Sequence, residues 1–354
     1  MLPSAMTTPA VLDHPKFEVP SLARGARVGG AVILALSVLS LFYYKWGGSL
    51  RVLGRVHSSG KLGISPAALI DGGVFATTLF YFGKIWPALV FGILVGAALR
   101  GAIPGSWVKR LLGPRAARPT ITGALAGAPL MLCSCCSTPV FTGLYERGAR
   151  LGPSLAVMLA SPGLNIAAIV LSFALLPARV AAVRVVAALV IVLGLSAAIG
   201  RTMESGAAPS RDVSADEESD EDASLRASFI RFVRSVVYLT LVTVPLIFAG
   251  VLLSGLLLPH IAALSQAGTV VAIAVVALVG VLVALPTFFE VPVALLLVAS
   301  GAPLGVAVAF VVAGPIVNMP SLFVLARESR PRVAVALAAG VWLVATAAGL
   351  ASMA

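Results

Sequence analysis

The chain is 354 residues long, 59% hydrophobic and 11% charged, with a mean hydropathy of +1.05. A soluble domain is about 45–50% apolar and about 25% charged, so a soluble globular fold is excluded and the bilayer must be the solvent. The formal charge of +11 does not mark a nucleic-acid binder, because the basic residues sit in short loops between apolar runs, where they set membrane orientation.

Residues 1–64 read as an N-terminal tail and a first transmembrane helix. The tail carries Lys16, Arg24 and Arg27, and the run Gly29 to Tyr44 is too long for a signal-peptide core and lacks a cleavage site, so the helix is retained. Further runs at Trp86 to Leu99, Val185 to Ile199, Val237 to Leu258 and Val333 to Met353 approach or exceed, with their flanks, the roughly 20 residues that cross a hydrocarbon core. Residues 65–200 and 229–354 form two units of similar build. Between them residues 201–228, rich in Ser and Ala, hold eight of the 14 acidic residues and read as a disordered linker.

The two units are a repeat. Pro139 to Asn165 aligns without a gap on Pro292 to Asn318 at a constant offset of 153, with 11 of 27 positions identical, among them Pro139/Pro292, Gly148/Gly301, Gly152/Gly305, Pro162/Pro315 and Asn165/Asn318. Upstream, Pro87 to Gly92 and Pro245 to Gly250 share a Pro-x-x-x-x-Gly spacing. Shorter apolar runs, about Thr120 to Leu132 and about Gly268 to Leu285, read as re-entrant hairpins or as full crossings.

Counting positive charges loop by loop decides orientation. With the N-terminus cytoplasmic and the second repeat inverted, eighteen Lys and Arg face the cytoplasm and six (Lys45, Arg51, Arg55, Lys61, Arg179, Arg184) face the other side. The Lys45 to Lys61 segment fits least well. The expected fold is thus an all-α polytopic membrane protein of two inverted-topology repeats with broken or re-entrant helices, plus an extra N-terminal helix. Repeats of this kind bind substrate near the bilayer midplane, at interrupted helices.

All three cysteines fall within four residues, Cys133, Cys135 and Cys136, followed by Ser137, Thr138 and the helix-interrupting Pro139. On a regular helix Cys133 and Cys136 share a face and Cys135 points away. Unwinding before Pro139 would let three sulfurs converge on one soft ion, and three ligands suit a trigonal thiophile better than structural zinc, which takes four. Two other readings stand beside this one: small buried packing residues, and a Cys133–Cys136 disulfide, which a reducing cytoplasm disfavours.

In the second repeat Glu290 occupies the place of Ser137, just before Pro292. An intramembrane carboxylate costs about 2.5–3.5 kcal/mol to insert and is functional by default; proton exchange or cation binding are its roles, against a carboxylate reaching an interface. Pro162 with Gly163, and Pro315 after Gly314, free carbonyls one turn earlier, and Asn165 and Asn318 follow three residues after each proline. Such breaks build polar sites in lipid, the alternative being kinks needed only for packing. Asp71 and Glu146 read as interfacial charges, the three histidines are scattered, and no phosphate loop is present, so an ATPase or His-based metal enzyme finds no support.

From Leu132 to Val140, through Gly148 and Ala149 to Asn165, and again from Glu290 through Pro315 to Asn318, the chain resembles the ArsP-type family of predicted permeases, over roughly Phe80 to Leu350. The resemblance implies a secondary permease, some members of the family exporting trivalent arsenic or organoarsenicals. It places the thiol site on Cys133, Cys135 and Cys136 and the helix breaks on Pro162, Asn165, Pro315 and Asn318. The expectation is a bacterial inner-membrane permease, not an enzyme, that exports a small inorganic or organic metal(loid) through these cysteines with Ser137, Asn165 and Asn318. Glu290 is its proton-coupling residue; no cofactor is expected, and lipid is the surrounding partner. The alternatives are a carrier of sulfur oxyanions or thiol compounds, and a membrane thiol oxidoreductase, which lacks a second cysteine pair to relay electrons.

Overall fold

The computed structural model describes residues 24–59, 73–101, 105–114, 118–204, 225–257, 269–284, 290–299 and 301–353. Every regular element among them is helical. The order is α1 (Arg24–Ser59), α2 (Gly73–Gly101), α3 (Gly105–Leu112), α4 (Pro119–Gly127) running into a 3-10 turn (Ala128–Leu130), α5 (Ser134–Glu146), α6 (Leu151–Gly163) and α7 (Ile166–Leu175). Then come α8 (Ala178–Met203), with a π-helical turn at Val190–Leu195, and α9 (Leu225–Leu257). The chain ends with α10 (Thr269–Leu282), α11 (Glu290–Ala299), α12 (Leu304–Ile316), α13 (Met319–Glu328) and α14 (Pro331–Ala351).

Five stretches are long and apolar enough to cross a membrane: Ala31–Gly48 within α1, Leu151–Leu175 spanning α6 and α7, α8, Phe232–Ala249 within α9, and α14. The pair α12 and α13, bent by 42° at Val317 and Asn318, makes a sixth if taken as one broken span.

The repeat is reproduced element by element. α6, α7 and the start of α8 correspond to α12, α13 and the start of α14 at the offset of 153. The turns that open α6 and α12 also match bond for bond. Gly148 (φ 87°) and Gly301 (φ 85°) adopt the left-handed region that glycine tolerates. Gly148 N–H donates to Tyr145 O and Ala149 N–H to Leu144 O, as Gly301 does to Val298 and Ala302 to Leu297, the C-terminal motif that satisfies the last carbonyls of a helix. Asn165 and Asn318 then cap α7 and α13 in turn. Packing repeats too: α4 lies on α6 as α10 lies on α12, and α5 on α6 as α11 on α12.

Two hydrophobic clusters form the interior. One joins α4 to α8 with α10 to α14; the other joins α1, α2, α3 and α9 to the segment that carries the cysteines.

Three expectations are corrected. The Lys45 to Lys61 segment is no loop over its described part, because α1 continues to Ser59 and Lys45, Arg51 and Arg55 are helical. Arg179 and Arg184 are not loop residues either: both lie in α8, and Arg184 is fully buried. The chain is not unwound before Pro139, which sits inside α5, one turn beyond the helix start at Ser134. Most of the acidic linker, the Leu258 to Gln266 loop and the Leu285 to Phe289 counterpart of the cysteine motif lie outside the described residues. At the edge of the linker Glu204 is held by Arg150, whose Nε donates at 2.9 Å, and by the amide of Leu151.

Candidate metal(loid) site and buried ion pair

The break that serves the cysteines lies at Met131–Cys133. Met131 takes a left-handed conformation (φ 48°) that costs a side-chain-bearing residue of order 1–3 kcal/mol and persists only where the surroundings enforce it. It turns the chain from the 3-10 turn into α5. The buried amide of Leu132, left without a helical partner, donates to Ser161 Oγ at 2.9 Å, in the same turn of α6 as Pro162. The two halves of the family motif are thus bonded to each other.

Cys133 is the N-cap of α5, in extended conformation, and Cys135 and Cys136 are its second and third helical residues. That placement, rather than unwinding at Pro139, gathers the sulfurs. Cys133 and Cys136 are joined as a disulfide with Cα atoms 5.2 Å apart, and Cys135 Sγ lies 3.2 Å from Cys133 Sγ and 3.9 Å from Cys136 Sγ. The three sulfurs fall within 4.8 Å of one another, and all three residues are buried. A soft ion with bonds of about 2.3 Å to thiolate requires sulfurs about 3.5–4 Å apart. The separations from Cys135 to the other two sulfurs, 3.2 and 3.9 Å, lie close to that range, while the third pair is closed by the disulfide.

Pro139 removes the amide that would bond the Cys135 carbonyl, and Thr138 Oγ1 takes its place at 2.6 Å. Ser137 Oγ donates to Ser134 O at 2.9 Å, so this hydroxyl is spent on its own helix. α5 lies unusually close to α2. A Cβ added at Gly92 would fall 2.3 Å from Cys136 O, and one at Gly96 2.4 Å from Pro139 O, so a Gly-x-x-x-Gly face lets the two backbones meet. α1 closes the other side, with Leu41 buried in the same cluster as the cysteines. One turn further along, Lys45 interacts electrostatically with Cys135.

Asn165 and Asn318 are brought to helix starts. Asn165 Oδ1 accepts from Ala168 N–H at 3.2 Å; Asn318 Oδ1 accepts from Ser321 N–H while Ser321 Oγ accepts from Asn318 N–H, a complete capping box. Both side-chain oxygens are thus turned to the backbone. Gly163 and Gly314 sit beside the breaks, Gly163 packed on Ile316 of the other half. Pro292 lies in the first turn of α11.

Glu290 opens α11 and is 3% exposed, next to Val291 of the other hydrophobic cluster. Its Oε1 accepts from Arg184 Nη2 at 2.9 Å, and Arg184, 2% exposed, also donates through Nη1 to Ser172 Oγ. This pair joins α7 and α8 of the first half to α11 of the second. Sequence reasoning named Glu290 but missed Arg184; an arginine within the apolar stretch Ala178–Leu189 was the only available signal.

A multi-pass helical bundle whose two halves carry matched helix breaks and a buried reactive centre is the build of a membrane permease. The chain belongs to the ArsP_1 family of predicted permeases, which matches residues 72–353. It is 29% identical over 306 residues to the UPF0718 protein YraQ of Escherichia coli K12, covering 83% of this chain and 86% of that protein. It is 32% identical over 114 residues, 31% of each chain, to the UPF0718 protein MJ0584 of Methanocaldococcus jannaschii. No solved structure matches it.

Proposed function

We propose that this chain is a bacterial inner-membrane secondary permease that exports a thiophilic metal(loid), foremost trivalent arsenic, by binding it to Cys133, Cys135 and Cys136 in their reduced form. The observation that carries the reading is the sulfur geometry: three buried thiol positions within 4.8 Å on one helix start. Membership of a predicted permease family supplies the class of activity.

Inverted repeats, with a cytoplasmic N-terminus, are part of the proposal. α6 and α7 lead 25 residues away from the 147–150 turn, and α8 returns 26 residues to Glu204, which bonds Arg150. The turn at 176–177 therefore lies at the far end from the 147–150 turn. In this reading its counterpart, at 329–330, lies at the near end, which the charges of both Glu204 and Arg330 acting on Tyr145 support. Counterpart turns at opposite ends are what inversion requires. The breaks at Pro162 and Pro315 then flank the midplane, and Glu290 is the residue through which protons drive export.

Arsenite accumulation in a sensitive strain tests the thiol site. Cells expressing the wild type hold less arsenite than the empty strain, and alanine at all three cysteines abolishes the difference. Unchanged resistance in the triple variant sinks the proposal. A second reading, covalent thiol exchange with sulfur compounds, draws on the disulfide with Cys135 3.2 Å from Cys133 Sγ. Transport inhibited by thiosulfate and indifferent to arsenite would favour it.

A further inference from the structure

The Arg184–Glu290 pair is poorly explained by stability. Removing two charges from water costs several kcal/mol per ion after relaxation, and apolar side chains of similar volume often serve a fold as well or better. The repeat supplies an internal comparison. At the offset of 153, Arg184 corresponds to Leu337, Ser172 to Leu325 and Glu290 to Ser137, all fully buried. α5 packs on α13 just as α11 packs on α7, so the same corner is built once with leucines and once with an ion pair. The fold closes this corner without charge in one half, and the charge in the other is there for another reason.

The surroundings limit what that reason is. Among the described residues, the elements packed most closely against α11 are α12 and α7, neither of which carries a titratable side chain, and α8 supplies Arg184 as the charge facing Glu290. Ser172 adds a hydroxyl that already donates to Ala168 O. Arg184 Nε has no acceptor among the described residues, so the guanidinium has a donor to spare when its partner changes state. The pair also bridges the halves, so any movement of one repeat against the other loads it.

Resting on the permease reading above, we propose that Arg184 and Glu290 form the coupling-ion site: Glu290 takes up and releases the driving proton, and Arg184 is its internal counter-ion. With Glu290 ionised, the pair locks α11 to α7 and α8. A proton from water on one side neutralises the carboxylate, the lock opens, the halves rearrange, and the proton leaves to the other side as the pair re-forms. Thiol site and proton site are then chemically different stations at equivalent places in the two repeats.

Two measurements test this. The first needs no substrate: infrared difference spectra of the full chain in lipid, taken from mildly alkaline to mildly acidic pH, show the carbonyl stretch of a protonated buried carboxyl in the wild type and lose it in E290Q. Absence of that band in the wild type overturns the proposal, because a purely structural pair stays ionised. The second uses arsenite in proteoliposomes, comparing accumulation driven by an imposed pH gradient with arsenite exchange at equal concentrations. In E290Q and in R184L/E290L, which closes the corner with apolar side chains in place of the ion pair, the gradient-driven mode falls about tenfold further than exchange, the loss of one coupling interaction of ordinary size. Equal loss in both modes, or a double variant driven by the gradient as well as wild type, overturns it. Should the wild type fail to carry arsenite, the thiol-site reading falls and the infrared band alone decides the coupling site.

Discussion

Gly92→Ala is the smallest change that reaches the cysteine cluster without touching a sulfur. The added Cβ would lie 2.3 Å from Cys136 O and 3.2 Å from its carbonyl carbon, against a relaxed carbon–oxygen contact of about 3.3 Å. The clash is with backbone, so no side chain can swing aside, and α5 must retreat from α2 by about 1 Å, at the overpacking cost of about 1–3 kcal/mol. Cys136 moves with it. Functional constellations tolerate about 0.5 Å, so the first turn of α5, bent away at Cys136, no longer holds its sulfurs in place against α2. The assay is thermal unfolding of the solubilised protein beside spectrophotometric titration of its reduced form with arsenite. Gly92→Ala should unfold earlier and bind more weakly than wild type, and Gly96→Ala, 2.4 Å from Pro139 O, should resemble it. Gly194→Ala, with nothing within 4 Å, is the control and should gain up to about 1 kcal/mol of helix propensity. If Gly92→Ala and Gly194→Ala behave alike, the close approach of α2 does not hold the site.

Ser161→Ala orphans the amide of Leu132, costing about 1–3 kcal/mol for a buried unmet donor; hydrogen exchange at Leu132 should quicken before global unfolding. Arg184→Leu alone strands a buried carboxylate and should destabilise by about 3–5 kcal/mol, while Arg184→Leu with Glu290→Leu recovers most of the loss in denaturation of the solubilised protein. Asn318→Ala removes a capping box and should cost about 1 kcal/mol, with Asn318→Asp restoring it; Asn165→Ala, losing one longer bond, should cost less on the same melting curves.

Helix content, the duplicated order of elements and the thiol cluster were all legible in the sequence, because each is written locally: apolar runs, a fixed offset of Pro, Gly and Asn, and three cysteines in four residues. The break beside the cysteines was assigned to Pro139 because proline is the visible interrupter; the actual turn is made by Met131, a residue with no preference for positive φ, held there by its burial. Asn165 and Asn318 were read as polar groups for a substrate; an asparagine just ahead of an apolar run is also an N-cap, and the hydrogen bonds show that each side-chain oxygen caps its helix. Arg184 was counted among loop charges because its partner is 106 residues away, and no local window pairs a base in α8 with an acid in α11. Lys45 was counted only as a loop charge for the same reason, its neighbour Cys135 lying on a different helix.

The family model matches from residue 72, but packing begins earlier. α1 lies wholly before that boundary, yet it rests on α2, on the 3-10 turn and on α9, and Leu41 is as deeply buried as the cysteines whose cluster it shares. The stretch the family model covers and the packed unit therefore differ by one helix. A chain trimmed to residues 72–353 would keep all three cysteines, and expose to lipid the wall of the compartment in which they sit.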